Sequence, residues 1–322
     1  MILVVSYPGD EHTGDVVGRL ERAGREVVRI DLADFPARSG LTLTWEEGRP
    51  PAYEIETGGQ RHDLRRAQVA WWRRVRPYEV DSAVRSPSYR QFALSETGQA
   101  VGGMLDALPC PWVNPRANDD AAHHKPYQWE LARQVGLRVP RTLVTNRPED
   151  ARAFVEALRP GKVVFKAFLA SIEAWRETRL VEPADLDRLD QVRYAPVIFQ
   201  EYIEGVDLRI TAVGDKLFPC EIDARASTYP VDMRMVVGES VVGRAALPER
   251  IAESLLALQR RLGLYYGAID MRRTPEGEHF FLEVNPAGQW LFVERMAGIP
   301  ISQAVADLLL AMAEGHGAGR KA

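Results

Sequence analysis

Cysteine is nearly missing from this chain: Cys110 and Cys220 are the only two in 322 residues. Two thiols cannot build a disulfide framework or a zinc ribbon, and a reducing, cytoplasmic compartment is the simplest setting for such usage. Long apolar runs are also lacking. The opening MILVVSY turns charged at Asp10 and Glu11, which is too short a run for a secretory signal. No uncharged stretch approaches the roughly 18–20 residues that span a bilayer, so no membrane association is expected. Nor does charge of one sign prevail, since 41 Lys+Arg face 45 Asp+Glu for a formal net charge of -4. That balance excludes a broad basic face for nucleic acid, but not a local anion site, which needs only a few cations. The loop Ser6–Gly14 lacks the G-x-G-x-x-G spacing of a dinucleotide site, and no internal repeat is present.

What is present is an alternation of short strands and helices. Ile2–Val5 reads as a buried strand, 15–23 as a helix stopped by Gly24, and Val27–Ile30 as a second strand. Such a start predicts a parallel, doubly wound sheet. Alternation from Leu41 to Leu64 predicts a β-meander, and VAWWRRV (69–75) a further strand whose Trp71 and Trp72 read as packing residues. Helices are expected at 89–108, 126–135 and 148–158, and strands at 163–168, 196–202, 208–213 and 217–222. Ile251, Leu255, Leu258 and Leu262 mark one apolar face of a helix at 249–262. Strands at 266–271 and 279–284, a helix at 302–312 and a glycine-rich, disordered tail at 315–322 complete the reading.

The strongest chemical signal is Asp270 followed by LEVNP (282–286). Strand alternation puts Glu283 and Asn285 on one face, with Leu282 and Val284 toward the core. A hairpin centred on Pro275-Glu276 sets Asp270 opposite Phe281 and diagonal to Glu283. Two carboxylates and an amide oxygen on one surface suit Mg²⁺, which usually bridges carboxylates to phosphates. A solvated polar hairpin face is the plainer alternative. Lys125 opens a helix, and Lys166 lies in an apolar strand, where an ammonium needs an anionic partner or a wet cleft. Phosphate is one such partner. The segment Phe199–Gly205 ends a strand with backbone donors and acceptors that can hold an adenine edge, with Asp207 in reach of a ribose hydroxyl. Taken singly, each of these is equally ordinary strand or surface sequence.

Taken in order, Lys125, Lys166, QEYIEGVDLR (200–209), Asp270 and LEVNPAG (282–288) resemble the ATP-grasp superfamily across residues 119–312. The resemblance implies a mixed α/β and α+β fold. A doubly wound pre-ATP-grasp domain (1–118) precedes a central lobe (119–200) and a C-terminal lobe (201–314), with ATP and two Mg²⁺ ions held between the lobes. It implies Lys125 and Lys166 on the ATP phosphates, Gln200, Glu201, Tyr202 and Ile203 at the adenine hinge, and Asp207 on the ribose side. Asp270 and Glu283 would hold one Mg²⁺, and Glu283 and Asn285 the other. Arg209, Arg225 and Arg234 would stabilise the transferred phosphoryl group and the acyl phosphate. Such chemistry needs positioning and charge neutralisation rather than a covalent nucleophile, so His123, His124 and Cys110 keep readings as helix-entry and packing residues. The chain departs from the pattern at 167–181, where many members carry a glycine-rich phosphate cover. Here that stretch contains no glycine, and Trp175 and Arg176 stand in it.

A finer resemblance, carried by WWRRVRP (71–77), PWVNPRAND (111–119), KPYQWELARQVGLRVPRTLVTNRPED (125–150) and EIDARASTYPVDMR (221–234), is to the graspetide (microviridin-type) macrocyclases. It implies a ribosomal precursor peptide with a leader as partner. An Asp or Glu side chain of that peptide is activated as an acyl phosphate, then attacked by a Thr or Ser hydroxyl or a Lys amine. The family's leader docks on the central lobe, for which the acid-rich 182–190 is the candidate here, and homodimers are common among its members. Two rivals stand beside this reading. One is an amino-acid ligase that adds glutamate to a peptide or protein, and the other is a non-catalytic peptide- or nucleotide-binding module.

Overall fold

The computed structural model describes residues 1–168, 178–225, 238 and 240–319. Strand β1 (Ile2–Val5) leads through helix α1 (Glu11–Arg22) to β2 (Val27–Ile30). Asp10 caps α1 by accepting from the Thr13 N–H, and Gly24, at φ 74°, follows its end. The meander is a three-stranded antiparallel sheet of β3 (Gly40–Thr44), β4 (Ala52–Thr57) and β5 (Gln60–Asp63). β6 (Val69–Trp72) pairs with the free side of β1, and after α2 (Pro87–Asp106) comes β7 (Trp112–Val113). The parallel order is β2-β1-β6-β7. Because the chain changes side at β1, the carboxyl ends of β1 and β6 form the topological switch point, where open α/β sheets have their crevice.

Helices α3 (Arg116–Ala122) and α4 (Lys125–Gln134) come next. The sequence RANDDAA has no apolar period, which is why α3 lies outside the helices expected. A second sheet, in the order β10-β9-β11-β8, is built from β8 (Thr142–Thr145), β9 (Val163–Lys166), β10 (Arg179–Leu180) and β11 (Val197–Glu201). Between β8 and β9, α5 (Pro148–Ala157) covers one face, so that Val155, Leu158, Val163 and Phe199 form a separate small core; α6 (Pro183–Leu186) follows β10.

The third sheet has the order β14-β13-β12-β15-β16. Its strands are β12 (Val206–Val213), β13 (Lys216–Asp223), β14 (Val241–Arg244), β15 (Tyr266–Arg273) and β16 (His279–Asn285), with α7 (Glu249–Leu262) before β15. Helices α8 (Leu291–Ala297) and α9 (Ile301–Gly319) end the chain. α9 continues past Met312, so residues 315–319, expected in a disordered tail, are helical.

Alternation divides the third sheet cleanly. Leu208, Ile210, Ile269 and Met271 pack on one face with Trp129 of α4 and Leu255 and Leu258 of α7. On the other face, Val213, Cys220, Ile222 and Tyr266 join Ile2, Val4 and Trp71 of the N-terminal sheet, together with Trp290 and Leu309, in one core. α1 lies on α9, where Arg19 Nη1 donates to Gln303 at 2.9 Å and Arg25 pairs with Glu314. Among the described residues no helix is long and apolar enough to cross a membrane.

Candidate functional site

The face of the third sheet that meets the N-terminal sheet carries, beside its apolar residues, a row of charge. Arg209 of β12 lies opposite Asp270 of β15, and Asp270 lies opposite Glu283 of β16. This corrects the expected register. Met271 faces Phe281, so Leu282 is an extra residue bulged out of β16 between two regular pairs. Phe281 and Val284 therefore both enter the core, Leu282 stays half-buried outside it, and Glu283 turns to the site face.

Each acid in the row is held by a cation. Arg209 Nη1 reaches both oxygens of Asp270, at 2.7 and 2.9 Å, while its Nη2 donates to the Gln289 carbonyl at 2.9 Å. Burial works against the Arg209 guanidinium, but the Asp270 carboxylate outweighs it and holds its pKa above the ordinary value. Lys125, at the first turn of α4, pairs with Glu283. Its helix is fixed on β16 by Gln128 and Trp129, whose side chains donate to the Val284 and Leu282 carbonyls at 2.8 Å each. One step along the sheet, Asp207 pairs with Arg272 at 3.0 Å.

Arg272 ties the expected nucleotide segment together. Its Nη1 donates to the Ile203 carbonyl at 2.9 Å, and its guanidinium lies 4.9 Å from the Tyr202 ring centroid. The Glu201 carboxylate accepts from the Arg141 N–H at 3.3 Å, and the Tyr202 N–H donates to the Lys162 carbonyl at 2.9 Å. At Gly205, φ is 147° and a Cβ would stand 2.0 Å from the Arg273 carbonyl oxygen, so only glycine permits this approach to β15. On the second sheet, Lys166 Nζ donates to Gln200 Oε1 at 2.8 Å, and Gln200 Nε2 donates to Thr142 Oγ1 at 2.7 Å.

Among the described residues no group of three or more His, Cys, Asp or Glu is arranged to hold a metal ion. The oxygen donors of the row are Asp270 and Glu283 with the amide of Asn285, which lies opposite Ala268 on the same face. Two carboxylates plus one amide, all hard oxygen, fit Mg²⁺ shared with phosphate oxygens. The side-chain cations Lys125 and Arg209 now supply positive charge beside those acids.

Not every expected residue joins the row. Arg225 is exposed beyond the end of β13 and hydrogen-bonds Asp223, which pulls the Asp223 carboxyl down to about 2. Arg234, Trp175 and Arg176 lie outside the described residues. Three participants were not expected. Arg272 sits two residues from Asp270, so strand alternation alone could have placed it on the site face. Asn114 accepts from the N–H groups of Tyr265 and Tyr266 and donates to the Pro286 carbonyl, while Arg73 donates to the Gly288 carbonyl.

Comparison with known proteins covers nearly the whole chain. A family model described as the MvdD pre-ATP grasp domain matches residues 1–120. The D-alanine–D-alanine ligase of Aquifex aeolicus (strain VF5) is 25% identical over 199 residues. That match spans 58% of this chain and 66% of the ligase, just under two thirds of its length. The macrocyclase MdnC from Microcystis aeruginosa MRC, solved with precursor peptide MdnA, is 30% identical with a TM-score of 0.83, over 97% of this chain and 99% of MdnC. A RiPP-associated ATP-grasp ligase of Chryseobacterium gregarium, solved with ADP and a leader and core peptide, is 26% identical with a TM-score of 0.86, over 96% of both chains. The ATP-grasp ligase PsnB, solved with minimal precursor, Mg and ADP, is 25% identical with a TM-score of 0.78, over 97% of both chains. With 30% identity to MdnC sustained over nearly the full length of both proteins, the chain belongs to the graspetide (microviridin-type) macrocyclases of the ATP-grasp ligase superfamily.

Proposed function

We propose that this chain is an ATP-dependent ligase that crosslinks side chains within a ribosomal precursor peptide. The observation that carries the reading is the opposed pair Asp270–Glu283, set between Arg209 and Lys125 and followed by Asn285. The precursor peptides bound to MdnC and to PsnB support a peptide as the substrate.

In the proposed reaction an Asp or Glu carboxylate oxygen attacks the γ-phosphorus of ATP, and ADP leaves. A Thr or Ser hydroxyl, or a Lys amine, then attacks the acyl carbon, phosphate leaves, and a proton is released. The bond formed is an ester or an amide. Lys125 and Lys166 orient the phosphates, Gln200–Ile203 the base, and Asp207 the ribose. Arg209 neutralises charge on the transferred phosphoryl group, and Arg225 and Arg234 are the further arginines proposed for that role. Asp270, Glu283 and Asn285 would hold two Mg²⁺ ions, which would supply charge neutralisation for the phosphates. The division at 118 and 200 separates the leading domain from the two lobes, and two chains associate as a homodimer.

The decisive experiment looks in the neighbouring reading frames for a short gene encoding a leader and a Thr- and Asp/Glu-rich core, and uses that peptide. Incubated with the protein, ATP and Mg²⁺, it is expected to lose one water in mass per crosslink while ADP accumulates. A mass gain of one amino-acid residue would instead favour the glutamate-adding ligase. An unchanged mass with no ADP would remove the enzymatic reading.

A further inference from the structure

The crevice at the carboxyl ends of β1 and β6 holds a cluster that the row of charge does not use. Arg73 follows β6 and is 1% exposed. Its Nη1 donates to the Gly288 carbonyl at 2.9 Å, and its guanidinium lies 4.7 Å from the Trp290 ring centroid. Its Nε stands 3.5 Å from Asp10, and neither Nε nor Nη2 makes a hydrogen bond. Beyond the end of β6, Arg74 has a φ of +43°, the one positive φ at a non-glycine among the described residues. The left-handed backbone brings Arg74 Nη1 to within 3.8 Å of the same Asp10 carboxylate while leaving the side chain one third exposed. Such a conformation is disfavoured at a residue with a Cβ, so the surrounding fold must impose it.

Charge in the crevice does not balance. Asp10 supplies one negative charge against the two guanidiniums of Arg73 and Arg74. Neighbouring Arg76 has its own partner in Asp31, and the buried His12 is neutral at pH 7, pushed down to about 4 by burial and by Arg73. Asp119, which also feels Arg73, is raised by its burial and has His123 beside it at 3.7 Å. One positive charge is therefore in excess, with Arg74 as its accessible bearer. Arg73 carries that excess to the loop 286–290, on whose other side Arg209 holds Gln289 and Asp270.

We infer that Arg74, backed by Arg73, binds a side-chain carboxylate of the acidic peptide substrate, so that the N-terminal sheet selects the donor residue presented to the row. This rests on the peptide-ligase reading above. A guanidinium matches a carboxylate through paired, charge-assisted N–H···O bonds.

The test compares a synthetic Thr/Glu peptide with its Thr/Gln counterpart, each titrated by fluorescence anisotropy into the full chain with ADP and Mg²⁺. The native protein is expected to prefer the glutamate peptide by about tenfold, as one charge-assisted pair implies. Arg74→Gly keeps the left-handed backbone and removes the guanidinium, and it is expected to abolish the preference. Arg74→Lys is expected to retain part of it. Equal binding of both peptides by the native protein, no binding of either, or a preference that survives in Arg74→Gly would each overturn the proposal. Weakened ADP binding in Arg74→Gly would assign the arginine to phosphate and overturn it too. The mass assay fails separately from this one, since absent crosslinking leaves a carboxylate preference measurable.

Discussion

Glu283 is the residue on which two halves of the site meet, since it faces Asp270 across the hairpin and receives Lys125 from α4. Glu283→Ala is expected to lower kcat at least ~100-fold, the scale on which a lost electrostatic contact to transferring charge acts. Its thermal midpoint should stay close to that of the native protein, because the side chain retains contact with solvent. ADP release at saturating Mg²⁺ is the measurement, and turnover within a few-fold of native would remove Glu283 from the site. At this scale the lysines, Asp270, Glu283 and Asn285 were legible because each residue type sat in an unusual local setting, such as an ammonium inside VVFK. Arg73 was not legible. What makes it special is Gly288, 215 residues further on, together with Tyr266 and Trp290.

The loop after β16 is an element whose geometry permits little change. A Cβ at Gly288 would lie 2.4 Å from the Ala268 Cβ and 3.0 Å from Arg209 Nη2. Gly288→Ala must therefore lift the loop from β15 and disturb the guanidinium that holds Asp270. An overpacking cost of about 1–3 kcal/mol and a marked loss of turnover are expected. Adding Ala268→Gly makes room again, so denaturant melts and ADP release of the double variant should recover part of both losses. No recovery would place the strain elsewhere. Elements with a strong period were read closely, and α7 begins and ends where its four apolar residues predict. The bulge at Leu282 was not, because Phe281 and Leu282 are both apolar and period alone cannot say which is set aside. Helix α8 (LFVERMA) went unread because seven residues are too few to display a face.

At the scale of the molecule, the first of the three expected units shares an apolar interior with the last. Trp71 and Val4 of the leading sheet pack in one interior with Trp290, Ile222 and Leu309. Residues 1–118 alone would expose that apolar surface to water. Expressed separately, they are expected to aggregate or to lack a sharp unfolding transition, as read by gel filtration and near-ultraviolet circular dichroism. A monomeric fragment with cooperative melting would show that the division at 118 is energetic as well as sequential.

The second sheet has its own core on one face, packs Ile198 into the interior of the third sheet on the other, and is joined to the rest by two stretches of backbone. One of them is 202–205, where Tyr202 hydrogen-bonds Lys162 on the lobe, while Ile203 and Gly205 are pressed on Arg272 and Arg273 of β15. The strap proposed to receive adenine is thus bolted to both plates at once. Occupancy of that strap and the angle between the plates are then a single mechanical variable. A ligand that fits the strap sets the angle, and a peptide that sets the angle changes the fit of the ligand.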